Sequence, residues 1–220
     1  MKKFLITAAL LLAGATAAFA QFHLGAGYYG EYSTASWKDG DIKHRESGIL
    51  NGFYLGGSYN IAFDGVEGLG IAPGAYFTFV GGHRWEGLEW GYNHRTAIDI
   101  PVHITYSHDL GPGAIFGYAG PAFNVGLGYK RSVKWYNDES GKYEKLTYNY
   151  YKIKHLEDEG VFHRFDCKLG LGVGYRWEHL AADFGWDFGL INQYRNEIRK
   201  APGKNKAHIH SFHVGVAYVF

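Results

Sequence analysis

Three histidines near the end of the chain are the first candidates for chemistry. His208, His210 and His213 stand among twelve His in 220 residues, and imidazole is the commonest side-chain ligand of a transition metal. In an extended segment, however, His208 and His210 share a face and His213 points the other way, so the three converge only across a bend. Their spacing favours histidines exposed at a rim, and no metal or other cofactor is expected. A second set, Asp99, His103 and Ser107, lies on one face of an extended segment and has the residue types of a hydrolase triad. Each step spans four residues, roughly 13 Å along a strand. A Ser–His pair must be in hydrogen-bond contact, so this set reads as a polar network and the chain is not expected to be an enzyme.

Asp166, Lys168, Asp183 and Asp187 form a third group. A buried charge without a partner costs several kcal/mol, so opposite signs in one interior are expected to pair. Centring the short connection at Arg176–His179 between Trp177 and Glu178 sets Lys168 opposite Asp187 and Gly172 opposite Asp183. Asp166 is then close enough to share the same ammonium. A fourth group is aromatic: Trp37, His83, Trp85, Trp90, Tyr143, Tyr148, Tyr150 and Tyr151 lie in polar segments and are suited to anchor a binding surface. Trp135 and Tyr136 read instead as part of an aromatic girdle.

The elements that must carry these groups repeat with period two. Eight alternating segments fall at about 22–32, 48–63, 68–80, 95–107, 113–133, 161–176, 179–192 and 208–220. In the fourth, Thr96, Ile98, Ile100, Val102, Ile104 and Tyr106 oppose Ala97, Asp99, Pro101, His103, Thr105 and Ser107. In a soluble sandwich the second face would meet water and carry long charged side chains. Here it is rich in Gly, Ala and Ser with a few Asp, which suits the crowded interior of a small barrel, and the large residues then face lipid. The expected fold is all-β: an eight-stranded antiparallel up-and-down transmembrane barrel.

The connections alternate in length. Residues 33–47, 81–94, 134–160 and 193–207 are long and polar, while 64–67, 108–112 and 177–178 are short. This is the pattern of outer-membrane barrels with long extracellular loops and short periplasmic turns, and it places both termini in the periplasm. Within 134–160, Tyr143 to Ile153 alternates, but Lys142, Glu144 and Lys152 occupy one face and Lys145 the other. That stretch is expected to be a hairpin above the membrane. Pro73, Pro101 and Pro121 lie inside proposed strands, where bulges are expected to accommodate them.

Residues 1–20, MKKFLITAALLLAGATAAFA, combine two Lys, an apolar stretch and Ala18-Phe19-Ala20, the features of a cleaved signal peptide, which leaves 21–220 as one barrel domain. Without Lys2 and Lys3 the 22 basic residues become 20, against 21 acidic ones, which excludes the strongly basic balance of a nucleic-acid binder. The single Cys167 allows no internal disulfide. Eight strands leave an interior about filled by side chains, so a wide pore is excluded and only a narrow channel for small solutes is compatible.

The last strand ends on an aromatic residue: Phe212, Val214, Val216, Tyr218 and terminal Phe220 share one apolar face. It resembles the C-terminal insertion signal that the barrel-assembly machinery recognises in bacterial outer-membrane proteins. The stretch IDIPVHITYSHDLGPGAIFGYAGPAFNVGLGY at 98–129 resembles the Ile-Pro strand, short turn and Ala-Gly-Pro strand of the small outer-membrane β-barrel domain family, the porin-like group with PorT-like and OmpX-like members. FDCKLGLGVGYRW and FGWDFGLINQY are similar to its next two strands. The resemblance implies an integral outer-membrane protein with a structural or interaction role. Its expected partners are outer-membrane lipid, the assembly machinery during insertion, and an envelope protein or extracellular ligand that the sequence does not name. A narrow channel and an outer-membrane hydrolase are the alternative readings.

Overall fold

The computed structural model describes residues 20–86, 89–137, 140–152 and 160–220, so the leader expected at 1–20 falls outside it apart from Ala20. The described strands are β1 (Ala20–Asp39), β2 (Ile42–Ala62), β3 (Leu69–Glu86), β4 (Glu89–Leu110), β5 (Gly113–Asn137), β6 (Lys142–Asn149), β7 (Phe165–Trp177), β8 (Leu180–Gly189) and β9 (Lys206–Val219). Eight of them close into an antiparallel ring, β1-β2-β3-β4-β5-β7-β8-β9, with β9 pairing back onto β1. Closure removes every free edge along the ring. β6 stands outside it, paired to the far end of β5 as the arm of a hairpin.

Alternation along each strand separates two environments. On β7, Leu169, Leu171 and Val173 are exposed on the outer face while Asp166, Lys168, Gly170 and Gly172 are buried inside. The same division holds on β9, where Val214, Val216, Tyr218 and Phe220 face outward and Ser211 and Val219 inward. The outer belt of Leu, Ile, Val and Phe is continuous around the ring and far larger than a water-facing patch can be, so this surface is built for hydrocarbon. The interior is the unusual side: its largest fully buried side chains include Arg95, Lys168, Gln193, Asn124 and Asp166.

Several connections differ from their sequence reading. Residues 33–47 and 81–94 were expected as loops, yet β1 and β2 stay paired to Asp39↔Ile42 and β3 and β4 to Glu86↔Glu89. The β1–β2 arm has no apolar face, but a hairpin growing from a formed barrel needs only a partner for each backbone group, which the adjacent arm supplies. Within 134–160, β5 and β6 form the expected hairpin, paired to Asn137↔Lys142, while 138–139 and 153–159 lie outside the described residues. β7 and β8 are shorter than expected, and beyond them irregular backbone continues the wall. Gln193 N–H donates to Ala207 O, His163 N–H to Gln193 O, and Arg195 N–H to Val161 O, at 2.8, 2.8 and 3.1 Å. The 193–207 connection holds a short helix, α1 (Asn196–Lys200).

The expected bulges at proline do not form. The ladder between β2 and β3 passes from Ser58↔Gly74 to Ile61↔Ile71 across Pro73 with no change of register. The ladders flanking Pro101 and Pro121 likewise keep their register. A few missing rungs absorb the absent N–H, so an extra residue is not needed. The register shift lies elsewhere, between Thr96 and Ala97, where Thr96 pairs Gly128 and Ala97 pairs Gly126. Leu127 is the extra residue, and beyond it the even-numbered residues of β5 turn outward.

Candidate functional site

The interior holds two layers of polar side chains. The layer nearer the long hairpins is a continuous hydrogen-bonded chain. Arg95, on β4, donates to Glu31 on β1 across the lumen, to Asn124 on β5, and through Nε to the Tyr151 hydroxyl at 3.2 Å. Asn124 donates to Asp99 Oδ1, and Tyr29 donates to Asp99 Oδ2 at 2.8 Å. Lys168 Nζ donates to the Tyr29 hydroxyl at 3.3 Å and to Ser211 Oγ at 2.9 Å, and Ser211 donates to Asp187 Oδ2 at 2.9 Å. Arg95, Lys168, Asn124 and Ser211 are 2, 1, 0 and 0 % exposed, so this layer fills the ring from wall to wall.

Small residues make the layer possible. A Cβ at Gly126 would stand 1.9 Å from the Tyr151 hydroxyl, so only glycine admits that ring from the hairpin side. Tyr151 was expected on a presented surface, but it is buried, because Tyr150 N–H bonds Tyr129 O and turns the chain into the mouth. Around it Tyr129, Tyr150, Phe162 and Tyr194 stack in series, with ring centroids 4.6 to 5.7 Å apart. Tyr143 is exposed and packs edge-on to Tyr136, and Trp37 stacks on His44. The strand sets the neighbours Trp135 and Tyr136 on opposite faces, so they do not form one girdle together. The side chains of Trp85 and Trp90 lie outside the described residues.

The second layer lies nearer the short turns. His213 Nε2 is 3.1 Å from Asp183 Oδ2, and the Tyr118 hydroxyl donates to the same oxygen at 3.0 Å and lies 2.9 Å from His213 Nε2. His103 stacks on Tyr118, with centroids 4.9 Å apart and planes within 15°. Between the layers and the short-turn rim is a cavity of about 160 Å³, bounded by Tyr29 and Asp99 above and by Gln21, Ser107 and Arg176 at the rim.

The expected direct contact of Lys168 with Asp187 is replaced by a link through Ser211. Lys168 pairs Gly189, Asp187 pairs Gly170, and Asp183 pairs Gly174 rather than Gly172. The turn is centred between Glu178 and His179, with Glu178 at φ 51°, one residue later than expected. Moving the centre by one residue shifts each partner by two, which keeps every side chain on its face but changes its neighbour. Asp166 faces inward as well, where the backbone of Ile191 and Cys167 approaches its carboxylate and the Lys168 ammonium acts on it without a direct ion pair among the described residues. Asp99, His103 and Ser107 all line the cavity but are not bonded to one another; Ser107 Oγ donates to Gly68 O at 3.4 Å. His208 and His210 stand on the outer face and His213 inside, as their spacing requires.

Sequence reasoning missed Glu31, Arg95, Tyr29, Asn124, Tyr118 and the inward role of His213. Residue parity alone would have put Arg95 on the Asp99 face. The Arg95–Glu31 contact joins strands that are not neighbours, and no ladder register encodes it.

Residues 5–220 match the family model of the outer membrane protein beta-barrel domain. No curated protein matches the sequence. Among solved structures, the chain is similar to Ail, the attachment invasion locus protein of Yersinia pestis, at 12 % identity over 90 % of this chain and 99 % of that one, with TM-score 0.36. It is similar to Neisserial surface protein A at 12 % identity, covering 90 % and 97 %, with TM-score 0.38. A major outer membrane protein from Thermus thermophilus shares 16 % identity over 91 % and 99 %, with TM-score 0.42. The match across nearly the whole chain, together with the closed ring and its apolar belt, places this protein in the outer membrane protein β-barrel domain family and hence in the bacterial outer membrane.

Proposed function

We propose that the protein is a plugged barrel with a structural or interaction role, acting through its hairpins and not as a pore. The observation that carries this reading is the buried chain from Glu31 through Arg95, Asn124, Asp99, Tyr29, Lys168 and Ser211 to Asp187, which spans the lumen without a break. A solute passing it would have to separate buried charges from their partners, at several kcal/mol for each. In the proposed orientation the short turns and both termini face the periplasm. The β1–β2, β3–β4 and β5–β6 hairpins stand outside, offering Trp37, His83, Tyr143 and Tyr148 to an envelope partner or extracellular ligand. The outer face of β9, Phe212, Val214, Val216, Tyr218 and Phe220, is the segment read by the barrel-assembly machinery. Hydrolysis is disfavoured, because Asp99 is held by Tyr29 and Asn124 while Ser107 bonds Gly68.

Planar-bilayer recording tests the plug. The reconstituted protein is expected to give no stable conductance steps. A reproducible ohmic channel in the wild-type protein would replace this reading with the narrow-channel one.

A further inference from the structure

Below the plug, the cavity combines features that the plug does not use. Its walls carry the rings of Tyr54, Tyr76, Phe116 and Tyr118, and its lining sets three carboxylates, Asp99, Asp183 and Asp187, against one permanent cation, Arg176. Asp187 Oδ1 and His103 Nε2 converge over Gly170, 2.5 and 2.7 Å from the point where a Cβ would stand. His103 Nε2 is buried and has no hydrogen-bond partner among the described residues, although its ring is fixed flat against Tyr118. In the Nδ1–H tautomer this nitrogen is an acceptor. Among the described residues, Tyr118 and His213 both engage Oδ2 of Asp183 and none is bonded to its other oxygen.

The charge balance points the same way. Among the described residues, the inner face from Glu31 to the short-turn rim holds five carboxylates, Glu31, Asp99, Asp166, Asp183 and Asp187, against three permanent cations, Arg95, Lys168 and Arg176. A low-dielectric interior with an excess of carboxylates attracts a cation, and tyrosine faces add cation–π attraction when that cation is organic. The volume, about 160 Å³, compares with cavities of roughly 150 Å³ that hold a benzene-sized molecule.

We propose that this cavity binds a small primary ammonium carrying one aromatic ring, admitted from the short-turn end. The ammonium donates to Asp187 Oδ1 and His103 Nε2, and the ring lies among Tyr54, Tyr76 and Phe116. Tyr54 is already set edge-on to both Tyr76 and His213, with centroids 5.7 and 5.5 Å apart, so its ring is held in place on the cavity wall.

Titration calorimetry on the full barrel folded in detergent micelles tests this, and it is independent of the conductance result. Benzylammonium is the probe and benzyl alcohol its uncharged match. Benzylammonium is expected to bind saturably at one site, about tenfold or more tighter than the alcohol. Asp187→Asn is expected to weaken it by about tenfold, and Ala72→Leu, which fills the cavity beside His103, its cross-strand neighbour, to abolish it. Retained heat-modifiable mobility certifies the fold of each variant, and Ala72→Leu decides the matter if Asp187→Asn does not fold. Absence of saturable binding, equal affinity for the alcohol, or unchanged affinity in Ala72→Leu would each overturn the proposal.

Discussion

Replacing Arg95 by Met is expected to be among the most damaging single changes in the lumen. The guanidinium is 2 % exposed and supplies hydrogen bonds to Glu31, Asn124 and Tyr151. Methionine keeps much of the volume, so the loss is electrostatic. Glu31, itself 3 % exposed, is left as a buried carboxylate with no cation, which costs about 3–5 kcal/mol. Glu31→Leu alone strands less, because Arg95 retains Asn124 and Tyr151, and about 2–3 kcal/mol is expected. The double variant removes both charges and leaves chiefly the Asn124 acceptor unsatisfied, at about 1–3 kcal/mol. The two changes therefore couple by about 4–5 kcal/mol, the cost of the two singles less that of the double.

Equilibrium urea unfolding from lipid vesicles, followed by tryptophan fluorescence and by gel mobility, measures all four species. Additivity within about 0.5 kcal/mol would mean that the pair is not formed as described. Planar-bilayer recording of Arg95→Ala adds a second readout. Removing the side chain's volume as well as its charge is expected to produce brief openings that the wild type lacks.

Three further outcomes follow from the architecture. The folded protein is expected to run faster on SDS gels unboiled than boiled, as a closed barrel does; identical mobility together with recovery in a soluble fraction would defeat the membrane assignment. Deleting Phe220 is expected to lower outer-membrane levels sharply while costing the folded barrel only about 1–3 kcal/mol, since the side chain is mostly exposed and packs on Phe22 and Tyr218. Normal membrane levels of the truncated protein would remove its role in assembly. Trypsin added to intact cells is expected to cut at Lys142 or Lys145 in the β5–β6 hairpin, and protection there with cleavage at the short turns would invert the proposed orientation.

The ring was legible because lipid imposes a simple rule on sequence. An outer face that must be apolar leaves Phe212, Val214 and Val216 in every second position, and that signal survives any error in register. The hairpins were less legible, since above the membrane neither face must be apolar. Ser33, Thr34, Lys43 and Glu46 pair in strands as regular as those below them. The bulge at Leu127 was invisible for a related reason. A glycine lies on either side of it, so no side chain recorded which face the backbone had chosen.

Inside the barrel, facing could be read from sequence but partnership could not. Asp99, Asp166, Lys168, Asp183 and Asp187 all point inward, because an error of two in register cannot move a residue through the wall. The same error decides who touches whom. It carries Asp187 one step along β8 from the place opposite Lys168, and Ser211, on a third strand, fills the interval. A lumen this narrow lets long side chains reach across to strands that share no ladder, as Arg95 does to Glu31 and Tyr118 to His213. Such contacts depend on ring closure, a property of all eight strands together, and pairwise periodicity contains no record of it. Glycine is the one local trace. Gly126, Gly170, Gly172 and Gly185 mark the inner wall where Tyr151, His103, Tyr118 and His213 pass. In a small barrel an inward glycine therefore signals that a large side chain from elsewhere occupies its place, which makes the glycines, and not the charges, the better guide to where the interior is assembled.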